Sequence, residues 1–261
     1  MHHVVQNGLF SEFGFKNLMN ALEKQEIPYT VVEVVPSSHE IIPNITADGP
    51  IMVWGAITLG RIAAERGWKP GRFMNHNFDM RVWLEKYQSH MLNGDAIFSE
   101  LGSISEFKGR RFIRPVHDSK LFSGTAMSWA EIEEWRKKIL NVSDGYVSLD
   151  LTTPVMVSSV KQISLEARFF VVGGQVISGT TYRTLRQILY REVHEYPMAH
   201  PLLDFAQRMA DLWEPDKAFV IDVAEVDGEP KIIELNCINS SGFYATNVNA
   251  VVMAIENLDL E

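Results

Sequence analysis

Apolar residues recur along this chain at two periods, and the alternation between them outlines the fold. Phe15, Leu18, Met19 and Leu22 follow helical spacing and predict a helix ending near Gln25. Tyr29 to Val35 is β-branched and bounded by Pro28 and Pro36, so it reads as a strand. A second apolar run, Ile51 to Trp54, is followed by Gly55 and a helical pattern from about Thr58 to Arg66. Strand, helix, strand, strand, glycine and helix in this order predict an α/β unit with a parallel sheet. Gly55 could bring a helix N-terminus to a ligand, or could serve packing alone. Phe78, Val82, Trp83 and Tyr87 suggest another helix, and the pattern breaks at Asn93-Gly94-Asp95. We place a domain boundary there, with residues 1–95 before it and 96–261 after it.

The second region opens on Arg110 to Arg114, which alternates like a strand and ends at Pro115. Ser128-x-x-Glu131 has the capping-box form and starts a helix whose stripe is Ile132, Trp135 and Ile139. Tyr146 to Leu149 and Val155 to Val160 are short strand candidates. Ser164 to Val172 alternates, with Leu165, Ala167, Phe169 and Val171 on one face and Glu166, Arg168 and Phe170 on the other. Gly173-Gly174 turns the chain, and Gln175 to Tyr182 returns it. His200 to Trp213 and Asn247 to Leu258 read as helices. The stretch between Arg183 and His200 fits either a mobile lid or an exposed connection.

The most informative stretch is Phe219 to Tyr244. Two apolar strand-like runs flank Asp227-Gly228, a strong hairpin signal. Asp222 lies inside the first run, where an unpaired carboxylate is costly to bury. Glu234 and Asn236 close the second run two residues apart, so they share a face. Pairing across the turn brings Asp222 near them. Two carboxylates and an amide oxygen are hard ligands of the kind Mg²⁺ takes beside phosphate. A plain hairpin with one exposed acid on each strand accounts for the same spacing. The loop Asn239-Ser240-Ser241-Gly242 could turn backbone N–H groups toward an anion. Upstream, Arg114 and Lys120 flank a polar loop that could handle phosphate, or could be solvated.

Composition narrows the function classes. The chain has 261 residues with 46% hydrophobic content, enough for one large domain or two modest ones. A net charge of −9 argues against a duplex nucleic-acid binder. The single cysteine, Cys237, excludes an intrachain disulfide and fits a reducing, cytoplasmic setting. Its thiol reads as packing rather than chemistry. No signal-peptide h-region and no apolar run of ~18 residues is present, so no membrane span is expected.

Asp222, then Glu234-Leu235-Asn236, then Ser240-Ser241-Gly242 and a helix resemble the end of an ATP-grasp domain. Other pieces extend the resemblance over the whole chain. They are Asn7-Gly8-Leu9-Phe10, Val53-Trp54-Gly55, Gly67-Trp68-Lys69-Pro70-Gly71, Phe112-Ile113-Arg114-Pro115, Asp118 to Gly124 and Glu166-Ala167-Arg168-Phe169-Phe170. The chain is similar to short, stand-alone ATP-grasp proteins of bacteria and their phages. This implies an ATP-grasp fold of mixed α/β and α+β type, preceded by a small α/β pre-ATP-grasp domain. It implies ATP and Mg²⁺ as cofactors and ADP-forming ligation of a small-molecule or peptide carboxylate to an amine or thiol. Asp222, Glu234 and Asn236 would hold Mg²⁺, and Arg114 and Lys120 would contact phosphates. Many ATP-grasp enzymes carry Lys where Arg114 stands, so that position departs from the pattern. Lys161 falls where the adenine hinge should lie. Glu166 would bind ribose or substrate, and Arg168 and Arg183 would stabilise acyl-phosphate charge. A phosphotransferase on the same site and a degenerate nucleotide-binding domain are the rival readings. The retained acids and cations speak against the latter. A homodimer is a default expectation for such enzymes.

Overall fold

The computed structural model describes residues 1–8, 12–36, 38–46, 48–116, 121–141 and 149–260. The chain forms two compact units, Met1–Asn75 with Ile163–Glu261, and His76–Gln162.

The first part of the larger unit runs β1 (His2–Gln6), α1 (Glu12–Lys24), β2 (Tyr29–Val34), β3 (Ile41–Ile42), β4 (Ile51–Trp54), α2 (Ile57–Glu65) and β5 (Pro70–Gly71). The strands order β3-β2-β1-β4-β5. The β1–β2, β1–β4 and β4–β5 pairs are parallel, as the alternation of strand and helix predicts, and β3 joins antiparallel. Successive side chains divide between two cores. Val4, Ile51 and Val53 pack with Leu59, Ile62 and Ala63 of α2. Val5, Met52 and Trp54 pack on the other face with Leu18 and Leu22 of α1. Burial on both faces explains why β4 reads as an unbroken apolar run. The Gly55 question resolves toward packing. A Cβ there would meet Leu59 Cδ2 at 2.5 Å, and the Ala56 N–H is taken by Gln6 Oε1 at 2.9 Å.

The smaller unit contains α3 (Met80–Tyr87), β6 (Ile97–Glu100), β7 (Arg110–Pro115), β8 (Thr125–Ser128), α4 (Trp129–Asn141) and β9 (Pro154–Ser159). Its antiparallel sheet orders β6-β9-β7-β8. The capping box forms as spelled. The Ser128 N–H donates to Glu131 Oε2 at 2.7 Å, and the Glu131 N–H donates back to Ser128 Oγ. Leu101, Ile113, Ile132 and Val155 form its core. Strands β6 and β8 were not expected from their short, polar-interrupted sequences. The strand expected over Tyr146–Leu149 falls largely outside the described residues.

The chain then returns to the larger unit with β10 (Leu165–Val172), β11 (Gln175–Thr184), β12 (Ile188–Glu192), α5 (His200–Leu212), β13 (Ala218–Val226), β14 (Glu229–Cys237) and α6 (Val248–Glu256). These strands make an antiparallel sheet ordered β12-β11-β10-β13-β14. Asp227 and Gly228 both take positive φ, 53° and 81°, as a two-residue type I′ hairpin requires. Helix α5 packs on β10, β11 and β13. Phe170, Val172, Ala218 and Val220 face the opposite way, into the core shared with α1, α6, Val5 and Trp54. That helix-covered face is the one from which the site residues project, farther along the same strands.

Candidate active site

Register decides which side chains meet. Arg168 lies opposite Asp222, and Asp222 lies opposite Glu234. Opposed residues share a face, and so does Asn236, two residues beyond Glu234. A register shift between Glu166 and Ala167 sets Glu166 opposite Arg183 and leaves Tyr182 as the extra residue of β11. Six of the residues singled out from the sequence therefore gather on one sheet: Glu166, Arg168, Arg183, Asp222, Glu234 and Asn236.

Their contacts are specific. Arg168 grips Asp222 with two parallel bonds, Nε to Oδ1 and Nη2 to Oδ2, both 2.8 Å. Asp222 is buried, and this bidentate, charge-assisted pair keeps its charge compensated. Burial alone would lower the Arg168 pKa, but the Asp222 carboxylate outweighs it and raises the value further. Arg168 Nη1 also donates to the Gly242 carbonyl at 3.3 Å. From the Ser-rich loop, it is thus a carbonyl that meets the guanidinium. Asn236 Nδ2 bridges the two acids, at 3.3 Å to Asp222 Oδ2 and 3.1 Å to Glu234 Oε1. Glu166 is half-buried, which pushes its carboxyl pKa up. The Tyr182 hydroxyl and the Arg183 guanidinium, 3.7 Å away, pull against that, while Asp222 and Glu234 add to it.

Asp222, Glu234 and Asn236 are a candidate cation cradle on chemical grounds. Their donors are hard oxygens, and each carboxylate oxygen has two lone pairs, so the Arg168 bonds leave acceptor capacity on Asp222. Turning the Asn236 amide by half a rotation puts its oxygen where Nδ2 now bridges the acids. Among the described residues no group of three or more His, Cys, Asp or Glu side chains is placed to hold a metal. The amide is therefore integral to the donor set.

An aromatic stack that no sequence period announces borders this cluster. The Tyr244 ring stacks on Tyr190 at 4.9 Å and 9°, and on Tyr182 at 5.7 Å and 30°. Arg168 Cζ sits 5.3 Å from the Tyr244 centroid. Tyr244 holds φ at +49°, the left-handed region that costs a non-glycine residue on the order of 1 kcal/mol or more. Stacking and the cation–π contact offset that cost. The signal that could have revealed β12 is the run Ile188-Leu189-Tyr190 after a polar turn.

The remaining residues singled out lie in the smaller unit or outside the described residues. Arg114 stands on β7 opposite Met156. Lys161 follows β9, pairs with Asp95 at 2.9 Å and also contacts Ser159 Oγ. Burial opposes ionisation of Asp95, but bonds from Ser159 and Lys161 dominate and lower its pKa to about 2. Lys120 lies outside the described residues. Cys237 is buried, donates to Asn239 Oδ1 at 3.1 Å and has its thiol pKa pushed up by burial to about 11, as an inert packing thiol would.

A family model described as an ATP-grasp domain, the third family of its clade, matches residues 23–255. The chain belongs to this ATP-grasp family. Solved structures with the same fold include D-alanine–D-alanine ligase from Bacillus anthracis complexed with ATP. It aligns at a TM-score of 0.60 and 11% identity, over 99% of this chain and 93% of that one. The RimK domain protein ATP-grasp from Sphaerobacter thermophilus aligns at 0.60 and 12% identity, over 98% of each chain. ATP-grasp ligase PsnB complexed with minimal precursor, Mg and ADP aligns at 0.53 and 12% identity, over 98% of this chain and 95% of that one. Among curated proteins nothing matches. Among the described residues no helix is long and apolar enough to cross a membrane.

Proposed function

We propose that this protein is an ATP- and Mg²⁺-dependent ligase that activates a carboxylate for attack by an amine or another nucleophile and releases ADP. One observation carries the reading: Asp222, Glu234 and Asn236 converge on adjacent strands beside a buried arginine, within an ATP-grasp chain. In the balanced reaction, a substrate carboxylate oxygen attacks the γ-phosphorus and the bond to the β,γ-bridging oxygen breaks. ADP leaves, and an acyl phosphate remains. The amine nitrogen then attacks the acyl carbon, the C–O bond to phosphate breaks, and the nitrogen loses its proton. Mg²⁺ would supply charge neutralisation for the phosphates.

The chain's own groups have distinct tasks. Asp222, Glu234 and Asn236 hold the cation. Arg168 keeps the buried Asp222 ionised and ready to bind it. The Asp222 and Gly242 contacts use three of the five guanidinium N–H bonds, and the others can face developing negative charge. Arg183, with its side chain 66% exposed, can swing toward the same charge. Glu166, held by Tyr182, faces ribose or the incoming substrate. Arg114 and Lys120 contact phosphates, and Lys161 serves the adenine hinge. We take residues 1–95 as the pre-ATP-grasp portion, residues 96–261 as the ATP-grasp portion and the cytoplasm as the place of action.

A thermal melt tests this reading with Mg-ATP, with ATP plus chelator, and with neither. A ligand in hundredfold excess over Kd adds about 3 kcal/mol of stability. The expected result is an upward shift that needs both ATP and Mg²⁺ and is lost in Asp222→Asn, followed by ADP release with a matched acid and amine. No shift at millimolar ATP would overturn the reading.

A further inference from the structure

We propose that the outer edge of β12 docks an extended acidic peptide, and that this peptide carries the carboxylate activated at the adjacent cluster. The inference rests on the ligase reading and adds the substrate class. Strand β12 is the outermost strand of its sheet. Natural proteins usually blunt such an edge with charge or cover it, because a sheet edge templates another strand. Here it presents apolar side chains instead: Ile188 is 68% exposed and Tyr190 53%.

Charge defines the partner further. From Arg183 to Arg191 the chain carries Arg183, Arg186 and Arg191 and no acid, within a protein of net charge −9. Arg183 lies opposite Ile188, so the two share a face, and Tyr190, two residues on, shares it as well. That face leads directly to the chemistry. Tyr190 stacks on Tyr244, Tyr244 lies under Arg168, and Arg168 holds Asp222. A strand added along β12 would place alternate side chains over Ile188 and Tyr190, and an acidic one beside Arg183. Main-chain bonds supply affinity in this mode, and alternate side chains supply specificity. An acidic peptide complements the arginines, whereas a basic one meets repulsion.

The experiment uses the full chain and a fluorescein-labelled peptide of alternating valine and glutamate, with a valine–lysine peptide as control. Binding is read by anisotropy without nucleotide, so it does not depend on catalysis. The acidic peptide should bind at least about tenfold tighter than the basic one. Ile188→Glu and Arg186→Glu, both at exposed positions, should each weaken it by about tenfold. Peptide N-methylation at alternate residues should weaken it similarly, as strand addition demands. Equal binding of the two peptides, or affinity unmoved by both substitutions and by N-methylation, would overturn the proposal. ADP release with free amino acids but no peptide binding would also overturn it, while leaving the ligase reading intact. Peptide binding with no ADP release for any amine would sink the ligase reading and the substrate assignment, and leave only the docking surface.

Discussion

Replacing Asn239 by alanine should destabilise the protein by about 3–5 kcal/mol, although Asn239 touches none of the residues assigned to chemistry. Its side chain is 2% exposed and uses every hydrogen-bonding position an amide has. Oδ1 accepts from the Phe73 N–H at 2.8 Å and from the Cys237 thiol, while Nδ2 donates to the Val53 carbonyl and, at 3.2 Å, to the Gly71 carbonyl. The Gly55 N–H donates to its main-chain oxygen at 2.9 Å. One side chain thus ties the loop after β14 to β4 and β5. Alanine strands a buried N–H and two buried carbonyls. Each unsatisfied buried group costs about 1–3 kcal/mol, and the carbonyls fall at the low end because a second lone pair remains usable. Asn239→Asp separates donors from acceptors. Its carboxylate can still accept from Phe73 but faces two carbonyls with no proton to offer. Such an acid is protonated more readily folded than unfolded, so its deficit should shrink as pH falls toward 4. The alanine deficit should not. Urea titration followed by circular dichroism at pH 7 and pH 4 measures both. A loss below about 1 kcal/mol for Asn239→Ala with an unchanged urea slope would refute the reasoning.

Three further outcomes are expected. Arg168→Met leaves the buried Asp222 carboxylate without its bidentate partner and should cost about 3–5 kcal/mol, much of it recovered in Arg168→Met/Asp222→Leu. Thermal melts check this, and a single variant as stable as the parent would show the pair to be idle. Burial raises the Glu166 pKa, so the folded state favours its protonated form and loses stability as pH rises through the carboxylate range. Glu166→Gln should therefore be more stable than the parent at pH 7, with the gain vanishing below about pH 4, as denaturant midpoints at both pH values will reveal. Glu256 behaves oppositely. Burial opposes its charge, but the bond from His3 Nε2 at 2.7 Å and the terminal ammonium prevail and lower its pKa. The stabilisation is present above the unfolded pKa and lost as pH falls through the folded one, so the deficit of Glu256→Gln should be largest at neutral pH. An equal deficit at pH 3 and pH 7 contradicts this.

Much of the architecture was legible because its signals are local. Asp227-Gly228 predicts its own hairpin, Ser128 and Glu131 cap their own helix, and the spacing of Glu234 and Asn236 puts them on one face whatever the partner strand. The apolar run Ile51 to Trp54 likewise announces a strand buried on both sides. The candidate cation cluster was legible for the same reason, since a two-residue turn sets the register that brings Asp222 to Glu234.

What the linear order could not supply is which distant strand lies beside that hairpin. Arg168 and Asp222 are 54 residues apart, and a one-residue slip in the β10–β13 register would turn Arg168 to the opposite face. Asn239 meets Val53 across 186 residues, where no local pattern records the match. The stack of Tyr182, Tyr190 and Tyr244 depends on a register shift in β11 and on a strained backbone at Tyr244. The sequence alone determined the elements and one acidic hairpin. Tertiary packing decided which arginine compensates the buried acid, which asparagine locks the loop and which sheet edge is left facing solvent, because those depend on pairing across the whole chain rather than on period.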